Sequence, residues 1–196
     1  MTAESVEHRS TQRWPVPPVD GYTVDDLFTL PDLPPHTELI DGSLVFVSPQ
    51  RRFHYLMINL LFNGLRDCLD ERYSIEREMT VVLDDRNGPE PDISVVRADA
   101  VTGVNQTRFQ VEDVLLAIEV VSPDSESRDR TTKPHKYAAA GIPHFWRVEQ
   151  SGTEGKPLIH VYELDPMTQA YVHMGIHRDH IKVDKPHTIA IDLALT

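Results

Sequence analysis

What this chain of 196 residues has little of narrows it before any motif is read. It carries one cysteine, Cys68, so an intrachain disulfide and a zinc site built on a cysteine pair are both closed to it. In helical surroundings Cys68 reads as a small buried hydrophobe. No apolar stretch approaches the length of a membrane span, and the first twenty residues are polar, with Pro15, Pro17 and Pro18 in place of the apolar core of a secretory leader. The expectation is a soluble, cytoplasmic protein with no membrane partner. Positive charge is also scarce: 19 Lys and Arg stand against 31 Asp and Glu, a formal net charge of −12. That balance argues against nucleic-acid binding over the whole surface and leaves only a local basic patch as an anion attractor. The chain has no phosphate-cradling glycine loop, no His-Glu-x-x-His, no Gly-x-Ser-x-Gly and no internal repeat, which removes the common nucleotide-binding, zinc-protease and serine-hydrolase readings.

What is present is ordinary in amount, with 40% hydrophobic and 26% charged residues, enough for one core. We expect a flexible, proline-bearing arm over residues 1–20 and a single domain over 21–196. The domain is organised around residues 114–123, where Glu119 interrupts an otherwise apolar, β-branched run stopped by Ser122-Pro123. Such a run reads as a central strand covered on both faces. A carboxylate there costs several kcal/mol unless a cation, a metal or hydrogen-bond donors compensate.

The rest reads as elements around that strand. Thr23 and Asp26 start a short helix over 23–30, closed by Pro31. Asp41-Gly42 marks a hairpin within 37–49, with Glu38 on its first strand. Leu56, Leu60 and Phe62 set a helical spacing over 53–71, residues 73–83 read as one extended run, and Asp92 opens a strand after Pro91. Residues 98–113 stay ambiguous. A charged loop over 127–132 enters a helix over 133–140, whose start is fixed by Pro134 and whose end by Gly141. Strands over 142–148, 158–164, 171–176, 181–183 and 189–193 complete an α/β (α+β mixed) pattern: a mixed sheet flanked by helices, with additional antiparallel hairpins.

On adjacent strands Asp92 and Glu119 reach one edge of the sheet, and two such carboxylates suit a hard divalent cation such as magnesium. Lys133 can stabilise charge on a phosphate or help deprotonate a water, and Glu38 can be a further ligand or orient a water. Each residue also has a bland reading: Glu119 pairing any nearby lysine, Asp92 closing a turn, Lys133 solvated with Lys136 competing for its role, Glu38 on a strand surface. His173, His177 and His180 read as scattered surface histidines.

The ordered set Glu38-Leu39-Ile40-Asp41-Gly42, Ser48-Pro49 with His54, Pro91-Asp92, Glu119-Val120-Val121-Ser122-Pro123, Asp129, Lys133, Tyr137, Ala140-Gly141-Ile142-Pro143 and Phe145-Trp146 resembles the Uma-two family. These are bacterial restriction-endonuclease-like proteins of the PD-(D/E)XK nuclease superfamily. The resemblance implies a restriction-endonuclease-like fold, with Asp92 and Glu119 as metal ligands, Lys133 as a migrated catalytic lysine, Glu38 as an additional acid and His54 as an accessory residue. In the wider nuclease pattern the lysine lies two residues after the acid, on the same strand face; here that position is Val121. The implied function is an endonuclease hydrolysing DNA with Mg2+, or Mn2+ in its place, in a homodimer. The competing readings are a catalytically silent interaction module of the same fold, and a structural dimer. The segment with Arg128, Arg130, Lys133 and Lys136 against Asp129 gives a local +3 (four minus one) that an anionic substrate would seek.

Overall fold

The computed structural model describes residues 16–48, 50–152 and 155–195. Most of the expected N-terminal arm, residues 1–15, lies outside them, and so does Pro49 of the quoted motif set. The elements in chain order are α1 (Asp26–Thr29), β1 (Glu38–Ile40), β2 (Ser43–Val45), α2 (Arg52–Cys68), β3 (Tyr73–Arg77), β4 (Thr80–Val82), β5 (Ile93–Arg97), β6 (Arg108–Gln110), β7 (Val114–Val120), α3 (Lys133–Ala139), β8 (His144–Ser151), β9 (Lys156–Asp165), β10 (Ala170–His177), β11 (His180–Val183) and β12 (Ile189–Asp192).

A six-stranded sheet in the order β10-β9-β8-β7-β5-β3 forms the frame. Only β7 and β8 within it run parallel, joined through α3; the other neighbours are antiparallel. The run around Glu119 is therefore a central strand, as its apolar continuity requires. Its period of two sends Leu116, Ile118 and Val120 into a core with Met57, Ile58, Leu61 and Leu65 of α2 and Ile181, Ile189 and Ile191 of β11 and β12. Ala117 goes the other way, to a second core with Tyr137, Ile142, Phe145, Val81 and Phe109. Glu119 shares that second side.

Local chemistry explains the departures from the sequence reading. Asp26 does accept the Thr23 backbone N–H at 2.7 Å, yet the helix it opens is only four residues long. The run over 73–83 is two strands in two sheets, because Glu78 sits at φ 51 and turns the chain between them; β4 then pairs with β6, which falls in the stretch the sequence left open. In α2 the inward line is His54, Met57, Ile58, Leu61 and Leu65, while Leu56, Leu60 and Phe62 are half-buried beside it. Both lines satisfy helical spacing, and the side facing the sheet decides between them. Cys68 is half-buried, with its Sγ 3.5 Å from the Ala190 carbonyl.

α2 packs on the β11–β12 hairpin at Gly64, where a Cβ would lie 2.7–2.8 Å from three carbons of Ile191. Ile191 is branched at Cβ and buried, so it has little room to yield. Gly64→Ala gains helix propensity of about 1 kcal/mol but overpacks this contact, at a cost of about 1–3 kcal/mol. The expected outcome is a lower thermal midpoint by calorimetry; a raised one would show that the hairpin moves away freely.

Candidate active site

Five elements bring their side chains to one end of the sheet. Ile93 pairs with Ile118, so Asp92, one residue before β5, falls opposite Glu119. The Asp92 carboxylate is held on both oxygens. Its Oδ2 accepts the Val120 backbone N–H at 2.5 Å, and its Oδ1 lies 3.0 Å from Nε2 of the buried His54, in the first turn of α2.

Glu38 arrives on the first hairpin, whose turn residues Asp41 and Gly42 both have positive φ (51° and 73°), the two-residue type the Asp-Gly pair favours. The turn is pinned from outside. Asn87 Oδ1 accepts the Asp41 N–H at 2.9 Å, and the Arg86 guanidinium lies so close over Gly42 that a Cβ there would sit 2.5 Å from it. Glu38 Oε1 accepts the Glu90 backbone N–H at 2.9 Å and faces Lys133 Nζ at 2.7 Å.

The charged stretch expected as a loop is a π-helical turn over Arg128–Thr132 that runs directly into α3. Pro134 accounts for it: it has no N–H for the Arg130 carbonyl, and its ring crowds that carbonyl, so the backbone widens and the Lys133 N–H reaches back five residues to the Arg128 carbonyl. Lys133 itself keeps helical dihedrals despite preceding proline. Its Nζ lies 3.0 Å from Glu119 Oε1 and 3.7 Å from Asp129 Oδ1 in addition to Glu38. Tyr137, one helical turn on, donates its hydroxyl to the same Glu119 Oε1 at 2.6 Å. Asp129 Oδ2 accepts from Ser125 Oγ, and its buried Oδ1 has no hydrogen-bond partner among the described residues.

Glu38, Glu119, Asp129 and Lys133 are each at most 4% exposed, so one ammonium sits among three buried carboxylates. Burial pushes the Glu119 carboxyl well above its usual range, with Lys133 opposing. Burial likewise raises Asp129, to about 6. Burial works against the Lys133 charge, but the carboxylates of Glu119, Glu38 and Asp129 outweigh it and hold the ammonium well above its ordinary pKa. Burial also raises Glu90, opposed by His36 at 3.1 Å.

The structure thus brings Glu38, His54, Asp92, Glu119 and Lys133 to one cavity of about 340 Å³. Val121, the strand position that would hold a lysine in the wider pattern, lines a separate cavity with Ser122 and Pro123. The local +3 expected to draw an anion is largely cancelled. Arg130 is paired with Glu126 and Glu149, Lys136 with Asp41, and Lys133 with the buried acids. The cavity wall is instead acidic, with Glu38, Glu78, Glu90, Asp92, Glu119 and Asp129 against Arg128 and Lys133. Sequence reasoning counted Arg128 only within the local +3, quoted Asp129 in the motif set without a role at the site, and passed over Glu90; the four-residue step from Asp129 to Lys133 was the available signal for Asp129. His173 lies 3.4 Å from His160 on the exposed face of the β9–β10 hairpin, and among the described residues no three His, Cys, Asp or Glu gather as metal ligands. Nor is any helix of the described residues long and apolar enough to cross a membrane.

None of the curated proteins compared matches the chain. The fold matches a crystal structure from Anabaena variabilis ATCC 29413, described as "a putative nuclease belonging to DUF820", with a TM-score of 0.64 at 17% identity over 84% of this chain and 89% of that one. That likeness supports the expected restriction-endonuclease-like fold. The model of the Uma2 family, described as "Putative restriction endonuclease", matches residues 24–196. Covering nearly the whole chain and taking in every element of the site just described, that match establishes that this protein belongs to the Uma2 family.

Proposed function

We propose that this protein is a divalent-metal-dependent phosphodiesterase that cleaves DNA, with Asp92 and Glu119 as metal ligands and Lys133 as its catalytic cation. The observation that carries the reading is the pairing of Asp92 and Glu119 across adjacent strands on the wall of one cavity, with the Lys133 ammonium 3.0 Å from Glu119.

The donor set fits magnesium. It offers hard carboxylate oxygens and no thiolate, and magnesium binds through one or two carboxylates while keeping several waters. Manganese accepts the same donors. The cavity's surplus of carboxylates would also repel a phosphodiester until a cation offsets it. When bound, the metal supplies Lewis acidity that polarises a phosphodiester and acidifies water.

The chain's own groups do the rest. His54 and the Val120 N–H hold Asp92 from both sides, while Tyr137 and Lys133 hold Glu119 by one oxygen. Lys133, kept charged by its three acids, stabilises negative charge on the phosphate in the transition state and is not the base. Glu38, anchored by the Glu90 N–H, aims Lys133. A silent interaction module is the second reading, favoured by the fact that Glu119 Oε1 already has two partners.

Two outcomes are expected. Glu119→Gln should lower cleavage of a labelled DNA oligonucleotide in Mg2+ or Mn2+ by at least about 100-fold and weaken Mn2+ binding in calorimetry, with an intact fold because the amide is isosteric. Wild-type protein that cleaves no faster in either metal than in chelator would select the silent module.

The second outcome concerns metal-free stability. Asp129 titrates near 6 in the fold against 3.8 for an ordinary aspartate, so between these values the native state binds more protons than the unfolded one. Its contribution to stability therefore falls as pH rises from about 4 to about 6 and stays low above that, a difference on the order of 3 kcal/mol. Asp129→Asn, mimicking the protonated acid, should be more stable than wild type at pH 7.5 in chelator and nearly equal to it at pH 4. Denaturant titrations at the two pH values check this; an equal difference at both would contradict it.

A further inference from the structure

We infer that Arg128 is the residue that grips the phosphate group of the substrate in this cavity, a role resting on the phosphodiesterase reading above. The charged segment from Arg128 to Lys136 contains four cations, and three of them are committed within the protein. Arg130 holds Glu126 and Glu149, Lys133 holds the buried acids, and Lys136 holds Asp41. The Arg128 side chain makes no ion pair or hydrogen bond among the described residues, and its Nε is buried without a partner. It does so on the wall of a cavity that contains six carboxylates, where an arginine would be expected to find a mate.

The acids explain why it has none. Five of the six are engaged by other groups: Glu38 and Glu119 by Lys133, Asp129 by Lys133 and Ser125, Asp92 by His54 and Glu90 by His36. An unclaimed guanidinium beside claimed carboxylates has its fork free for a ligand from outside. That fork presents parallel N–H donors matched to two oxygens of a phosphate, and it does not lose its charge. Its place on the π-helical turn matters too. Residues 128 and 133 would lie about 140° apart around an α-helix, whereas the five-residue bond from the Lys133 N–H to the Arg128 carbonyl brings both toward the same cavity. Arg128 and the two acids Asp92 and Glu119 then line one space, so a phosphodiester placed at the acids lies within the arginine's side of the cavity.

The test measures binding separately from turnover. Affinity for a short thymidine oligonucleotide, held uncleaved by Ca2+, is compared with affinity for inorganic phosphate in wild type, Arg128→Gln and Arg128→Lys, alongside Mn2+ binding. Arg128→Gln should weaken the oligonucleotide by about tenfold or more and reduce the salt dependence of its binding by about one phosphate contact. Mn2+ affinity should not fall, and in cleavage assays KM should rise more than kcat drops. Arg128→Lys should recover part of the affinity, since it restores the charge without the fork. Weakening of inorganic phosphate alone would mean a free-anion site and overturn the assignment to a nucleic-acid phosphate. Unchanged oligonucleotide binding with tighter Mn2+ binding would make Arg128 a counter-charge to the acids, overturning the inference while leaving the phosphodiesterase reading intact. A wild type that binds neither oligonucleotide nor phosphate overturns both.

Discussion

One ammonium among three buried carboxylates is the constraint on which this end of the molecule depends. Lys133 Nζ joins Glu38 of the first hairpin, far away in sequence, to Glu119 of the central strand and Asp129 of the π-helical turn. None could bury its charge alone, because a carboxylate out of water needs a partner and further hydrogen bonds to persist. The extra bonds are present: Tyr137 on Glu119, the Glu90 N–H on Glu38 and Ser125 on Asp129. The balance is still incomplete, since one positive charge faces three acids; burial above all, with the neighbouring carboxylates adding to it, raises the pKa values of Glu119 and Asp129.

The two faces of the sheet divide the labour. On the α2 side the packing is apolar, from Met57 and Leu61 through Leu116 and Ile118 to Ile181 and Ile189. Burial there supplies stability at roughly 25 cal/mol per Å² of apolar surface. On the α3 side the same central strand presents Ala117 to an apolar core and then, two residues later, Glu119 to the charged cluster. The costly group thus lies near the strand's end, beside a cavity, while the strand's middle stays greasy on both sides. Asp92 belongs to both economies: its carboxylate accepts a backbone N–H from the neighbouring strand and so continues the β5–β7 pairing past the last residue of the ladder.

Much of this was legible in the sequence, for reasons that can be named. The apolar run around Glu119, the Asp-Gly turn beside Glu38 and the four-residue step from Lys133 to Tyr137 are local patterns with a single structural meaning, and each appears as read. The candidate residues gather because the pairing of β5 with β7 follows from two strands that must neighbour one another. What failed to show was anything set by distant partners. The inward stripe of α2 depended on which side the sheet occupied. The apparent basic patch dissolved because Asp41 and Glu149, remote in sequence or on another element, had claimed its charges together with Glu126, one helical turn before Arg130. The π-helical turn is an intermediate case: Pro134 signalled a helix start, and the sequence could not say that the chain would continue helically through it by widening.

That widened turn makes spacing, as well as side-chain identity, a part of the site. Its bond skips one residue more than an α-helix allows, so the segment from Arg128 to Lys133 holds one residue in excess of a regular helical register. Shortening it by one would restore an unstrained ladder only by rotating Arg128 and Asp129 relative to Lys133, away from the groups they now face. Among relatives, a chain that kept all the same charged residues but lost a single neutral position between them would keep the composition of this centre and forfeit its arrangement.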